Sequence, residues 1–382
     1  MVYKTASFLG LSIIGLCALC CPVALAKDFN VYWNVPTFMC HQRGIYFDVT
    51  KFGLIQNTDD IFQGDNVNIW YHPGKFPHIN NGIPVDGGIP QNGSLKDHEA
   101  TFRSQVATMP EDFHGVAVLD FEHYLPSQAR APVEYRQASK KWVVEQHPEW
   151  TEEEIAIESQ RTFNDSIREF MEVALEIGVE MRPNALWGYY HYPYCKNKAG
   201  AVECSDGMTE MNNETLWLYE ASKAMYPSIY LYDTMGVDQR KDMALGRILE
   251  AKRLNEIISR PIAVLTYCAN QYHDGGHFIT PEDIVNTIGL SKEEGIDGSV
   301  IWGSSSGLNT KEKCLEYKRE NPERVLRCAT SPADVMSDLT AILSKVRLSA
   351  GHKAKRMTQR LEELKAFLQE GKRETDRQTC IG

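Results

Sequence analysis

The stretch GVAVLDFEHY, residues 115–124, decides how this chain is read. Five small or apolar residues run into two carboxylates, Asp120 and Glu122, with only Phe121 between them. A near-continuous apolar run of this kind marks a strand covered on both faces. In a strand, residues i and i+2 share a face roughly 6.5–7 Å apart, so the two acids would point together while Phe121 packs on the other side. Two carboxyls that close in a partly dry pocket do not both ionise easily, and one keeps its proton near neutral pH. The pair therefore reads as acid chemistry rather than as a solvated edge, because the residues feeding it are apolar.

Similar runs recur along the chain: FNVYWNVP from Phe29, NVNIWY from Asn66, VEMRPNALWGYY from Val179, PSIYLYD from Pro227, PIAVLTYC from Pro261 and GSVIWGSS from Gly298. Helix-like segments separate many of them, notably 151–177, 241–258 and 281–294. TPEDI at Thr280 is a strong helix start, with Thr as N-cap, Pro at the first position and acids in the first turn. Strand and helix alternating about seven times predicts an α/β fold of the (β/α) barrel type. A doubly wound sheet is the alternative, but no Gly-rich phosphate loop follows the first run.

Barrel active sites form at the C-terminal ends of the strands. Here those ends carry Asp120 and Glu122, then Trp187, Tyr189 and Tyr190, then Tyr230, Tyr232 and Asp233, then Tyr267 with Asp274 beyond it, then Trp302 and a Ser-rich turn. Any one aromatic at a strand end is ordinary packing. As a set they suit a carbohydrate, whose C–H faces stack on rings while carboxylates protonate a glycosidic oxygen.

The 382 residues carry a net charge of −11 without a basic stripe, which argues against nucleic acid as a partner. Residues 1–26 read as a secretory signal peptide: Lys4, an apolar run from Phe8 to about Ala18, and a small-x-small step at Ala24-Leu25-Ala26. No later stretch reaches a membrane-spanning length. Of ten cysteines, seven lie beyond that leader, none in a CxxC pair, so they read as disulfides rather than a zinc site. Asn92, Asn164 and Asn213 open N-x-S/T sequons. The expectation is a secreted protein.

The motifs FNVYWNVPTFMC, GVAVLDFE, RPNALWGYYHYPYC, PSIYL and VIWGSSSGLNTKEKC, in order over 29–328, resemble the hyaluronidase family of venoms, saliva and mammalian sperm and lysosomes. The resemblance implies a distorted β/α barrel over 27–330. It also implies an endo-β-N-acetylhexosaminidase that cuts hyaluronan with retention and without a metal or cofactor, the substrate's acetamido carbonyl serving as nucleophile. On that basis Glu122 is the general acid and then base, and Asp120 holds the acetamide nitrogen. Tyr190 and Tyr230 position and stabilise that group, Trp302 forms an aromatic wall, and Arg247 and Asp274 line the substrate pocket. The implied disulfides are Cys40–Cys314 and Cys195–Cys204.

Two features depart from the family pattern. Where the family carries an arginine three residues after the acid, this chain has Leu125, which predicts a missing cation contact. Beyond it, 331–382 reads as a helical extension, with Met357, Leu361, Leu364 and Leu368 at near-heptad spacing. A helix docked on its own domain is the plain reading of that tail. Cys268 reads as a buried free thiol; Cys328 and Cys380 either bridge to each other or leave Cys380, close to the chain end, to pair with a second chain, and the expectation is a homodimer joined through the tail. Two rival functions are a sugar-binding barrel that does not cleave, and a chitinase-type hydrolase, whose longer acidic strand signature is absent.

Overall fold

In the structure, a computed structural model, residues 29–197 and 201–320 are described. The leader, the tail, Cys328 and Cys380 lie outside the described residues. Ten strands are present: β1 (Asn30–Asn34), β2 (Ile55–Gln56), β3 (Val67–Trp70), β4 (His78–Asn80), β5 (Ile83–Val85), β6 (Val116–Leu119), β7 (Leu186–Tyr189), β8 (Ala224–Met225), β9 (Ala263–Ala269) and β10 (Gly298–Trp302). The described helices are α1 (Leu95–Val106), α2 (Val133–Gln146), α3 (Glu152–Met181), α4 (Asp206–Glu214), α5 (Leu216–Ala221), α6 (Val237–Ile257), α7 (Pro281–Ile284), α8 (Leu290–Glu293) and α9 (Lys311–Glu320).

Apart from the β4–β5 hairpin, the strands are parallel, in the orders β2-β1-β10-β9-β8 and β3-β6-β7. Two seams join these sheets. Between β7 and β8, Lys223 N–H donates to Trp187 O at 2.7 Å and His191 N–H to Tyr226 O at 3.0 Å. That approach requires Gly188, since a Cβ there would lie 2.1 Å from Ala224 O. Between β2 and β3 one side chain replaces the ladder. Asn57 Oδ1 accepts from the N–H groups of Asn66 and Val67, both at 2.8 Å, and its Nδ2 donates to Val67 O at 2.9 Å. The eight parallel strands thus follow one another as a distorted barrel, the architecture expected from the alternating runs.

Alternation along β6 sorts residues as the strand period requires. Val116 and Val118 face an inner cluster with Val67, Ile69, Leu265 and Val300, while Ala117, Leu119 and Phe121 join an outer cluster under the helices. The longest helix, α3, begins where the sequence predicts it. Thr151 Oγ1 accepts from Glu154 N–H at 3.3 Å and Glu154 Oε2 accepts from Thr151 N–H at 2.8 Å, a reciprocal cap. Its Phe163, Ile167, Phe170 and Ala174 are buried.

One predicted strand is shortened. The PSIYLYD run contributes isolated pairings at Ser228 and, just before it, Tyr226, while regular β8 ends at Met225. Pro227 lacks an N–H to continue the ladder. The predicted bridges Cys40–Cys314 and Cys195–Cys204 are both formed, spanning 274 and 9 positions, and Cys268 is free and buried. Among the described residues no helix is long and apolar enough to cross a membrane.

Candidate active site

Beyond β6 the chain stays extended for one more pairing, Asp120 N–H donating to Trp70 O at 2.9 Å. Asp120 is 8% exposed, and Glu122 reaches the open cleft. The two carboxyls are neighbours two positions apart, close enough for each to act on the other's ionisation. Burial, then the charge of Glu122, pushes the Asp120 carboxyl up to about 8. Burial also raises Glu122, offset by the hydrogen bond from Asp120 and the nearby His273. Burial thus favours a proton on Asp120, the drier partner, more than on the Glu122 that the family resemblance names as acid.

Tyr190 follows β7 and donates from its hydroxyl to Ser228 Oγ at 3.3 Å. Tyr230 lies 6.1 Å from Tyr190 and stacks on Trp302 at 6.0 Å with 22° between the rings. These three expected residues and the carboxyl pair therefore converge. Arg247, on α6, is held from behind: Nη1 donates to Ser228 O at 2.7 Å and Nε is buried without a partner. Ser228 thus couples Arg247 to Tyr190.

Asp274 lies in the loop after β9. Its carboxylate is exposed and accepts from the N–H groups of Asp233 (2.6 Å) and Thr234 (3.1 Å) and from the Thr234 hydroxyl (2.6 Å). Those three donors hold its pKa at about 2 and spend its oxygens on tying the loops after β8 and β9 together. Leu125, half-buried, packs against the outer apolar cluster.

Three participants, Tyr71, His191 and His273, escape the sequence reading, and a fourth, Tyr267, is one of its strand-end aromatics. Trp302 Nε1–H donates to the Tyr71 hydroxyl at 2.9 Å, so Tyr71, at the end of the NVNIWY run, completes the aromatic wall. His273 packs 6.1 Å from Tyr230. His191 follows Tyr190 with φ at +75°, its pKa pushed down to about 3 by burial and by the charges of Arg247 and His273. The Tyr267 hydroxyl is buried without a partner, its ring 5.2 Å from Tyr190. Tyr71 and Tyr267 carry a signal in the sequence, as aromatics ending apolar runs, whereas His191 and His273 sit in loops with none.

Comparison with known proteins agrees with this geometry. The profile of the hyaluronidase family of glycosyl hydrolases, family 56, matches residues 19–326. The chain is 37% identical over 311 residues to the hyaluronidase of Vespa magnifica, covering 76% of this chain and 86% of that one. It is 34% identical over 314 residues to hyaluronidase-1 of Sus scrofa, covering 78% and 72%. The crystal structure of bee venom hyaluronidase superposes with a TM-score of 0.75 at 34% identity, covering 80% of this chain and all of that one. A second structure of the bee venom enzyme, in complex with a hyaluronic acid tetramer, gives 0.74 at the same identity, covering 79% and 99%. A carboxyl pair, Asp120 buried and Glu122 exposed, beneath an aromatic wall, together with the family match and the shared fold, places the chain in the hyaluronidase family, as a glycoside hydrolase of family 56.

Proposed function

We propose that the protein is a secreted endo-β-N-acetylhexosaminidase that hydrolyses hyaluronan inside the chain, with retention, using the substrate's own acetamido group. The observation that carries this reading is the carboxyl pair Asp120–Glu122 at the foot of the Tyr190–Tyr230–Trp302 wall, with burial favouring a proton on Asp120.

The geometry supplies a route for that proton. When the acetamide N–H of a bound sugar donates to Asp120, hydrogen bonding favours the carboxylate there and the proton passes to Glu122. Glu122 then protonates the glycosidic oxygen as the acetamido carbonyl oxygen attacks the anomeric carbon from the opposite face. The positive charge of the resulting oxazolinium ring is offset by Asp120, while the Tyr190 hydroxyl and the rings of Tyr230 and Trp302 confine the group. Glu122 next takes a proton from water, which opens the ring by attack at the same carbon. Two inversions leave the configuration unchanged. Proton NMR of early hydrolysis tests the reading: β-configured reducing ends are expected first, whereas α ends or unsaturated lyase-type ends would overturn it.

Secretion is supported by the leader-like 1–26 and by two disulfides, which suit an oxidising compartment. Among the sequons Asn92 and Asn213 are exposed and suit glycans. Asn164 is half-buried inside α3, its Oδ1 accepting from Gln128 N–H at 2.8 Å. Self-association through 331–382 is proposed on the spacing of its leucines and on Cys380; light scattering of the chain truncated at Pro332 tests it, an unchanged particle stoichiometry being the contrary result.

A further inference from the structure

One wall of the cleft is a connected series of rings. Phe62 stacks on Tyr71 at 5.8 Å, Tyr71 accepts from Trp302, and Trp302 stacks on Tyr230. Tyr230 continues to His273 at 6.1 Å, and the His273 ring meets Tyr232 edge-on at 5.3 Å. Five of these six rings belong to phenylalanine, tyrosine and tryptophan, and the sixth is an imidazole. It is exposed, and none of its contacts among the described residues occupies its ring nitrogens.

The loop beneath it is firmly held. His273 N–H donates to Leu231 O at 2.8 Å. Next to it, the Tyr272 hydroxyl donates to the buried Asp283 carboxylate, which pairs with Arg240 at 2.8 Å. Asp274 clamps the backbone of Asp233 and Thr234. The ring is therefore placed on the wall by its neighbours on both sides.

Its charged surroundings come from each neighbouring element. Glu122 beyond β6 is close enough for the His273 charge to be felt at its carboxyl. His191 beyond β7 is held neutral by burial. Tyr230, Tyr232 and Asp233 follow β8, and Asp274 and His277 share the loop. Arg247 is committed to Ser228 O. In a chain of net charge −11, a polyanion lying on this wall must approach ionised carboxylates, and His273 is the ring of the wall that can carry a positive charge to offset them.

We propose that His273 is a specificity-determining residue: its imidazolium pairs with a uronic-acid carboxylate of a polysaccharide laid along this wall, so the cleft favours carboxylate-bearing over neutral acetamido sugars on the acid side of neutrality. The proposal rests on the hydrolytic reading of the same cleft for its substrate class.

The test compares hyaluronan with carboxyl-reduced hyaluronan, its uronic acids converted to neutral sugars, at pH 5 and 7.5. In the wild type, KM for hyaluronan should rise roughly three- to tenfold between the two pH values, and KM for the reduced polymer should not. His273→Gln should raise KM for hyaluronan at pH 5 by the same factor and flatten its pH dependence, with kcat changing less than KM. His273→Arg should keep KM low at pH 7.5. A Gln variant with the wild-type pH dependence of KM would overturn the proposal, as would an Arg variant that fails to restore binding at pH 7.5. Calorimetry on Glu122→Gln protein, with and without His273→Gln, separates this inference from the hydrolytic one. Preference for charged oligosaccharides that disappears with His273→Gln supports it even if the wild type proves unable to cleave hyaluronan; preference that survives refutes it even if cleavage is brisk.

Discussion

Asp120 and Glu122 stand two positions apart just beyond β6, close enough that the charge of Glu122 adds to burial in raising the Asp120 carboxyl. Glu122→Gln keeps the shape of the side chain but removes the transferable proton. Turnover should fall by about 10²–10⁴-fold or more, with substrate binding retained. Asp120→Asn should also be severe, because an amide facing the acetamide N–H cannot balance the charge that develops beside it. Single-turnover kinetics on purified variants check this, and near-normal turnover by Glu122→Gln would remove it from the acid role.

The same pair sets a pH dependence of stability. Asp120 is lifted from 3.8 to about 8, so the folded state binds its proton more tightly than the unfolded chain. Such a group's stabilising contribution is full below pH 4 and is lost as pH rises towards 8. Asp120→Asn removes that loss. Its stability relative to wild type should therefore improve between pH 5 and pH 8, by an amount on the order of 3 kcal/mol. Urea melts at the two pH values measure the gap, and a gap independent of pH would contradict the assignment.

Asn57→Ala tests the seam between β2 and β3. Asn57 is 1% exposed, and its truncation leaves the N–H groups of Asn66 and Val67 without their acceptor. The expected loss is roughly 3 kcal/mol, read as a lower denaturation midpoint. A shift of under about 0.5 kcal/mol would mean that the barrel does not depend on this clamp.

The two disulfides should differ in weight. Cys40–Cys314 closes 274 positions and Cys195–Cys204 closes 9. On chain entropy alone the longer loop stabilises more, by about 3 kcal/mol. Replacing both cysteines of each pair with alanine, one pair at a time, should lower the midpoint far more for the first pair. Equal effects would show that strain or residual structure, rather than loop length, governs them.

Composition and local pattern were sufficient for the barrel, the carboxyl pair and the main helices, because these follow from short-range rules. The period of two along residues 116–122 alone sends Val118 and Asp120 inward and Phe121 outward, and the Thr151 and Thr280 caps announce their own helices. The pairing of Cys40 with Cys314 came from family motifs rather than from spacing, since loop length does not select a partner. What tertiary structure decided are relations between distant segments. Pro227 cuts β8 short, but Tyr230 still reaches Trp302 because β8 lies beside β9 and β9 beside β10. Asp274 ties down a neighbouring loop, a role fixed by which N–H groups stand within 3.1 Å of it. His273 has no local signature at all. It becomes a candidate only when the loop after β9 folds against Tyr230 and the strand order brings Glu122 across from it, since electrostatic and ring contacts depend on distance in space and not on separation along the chain.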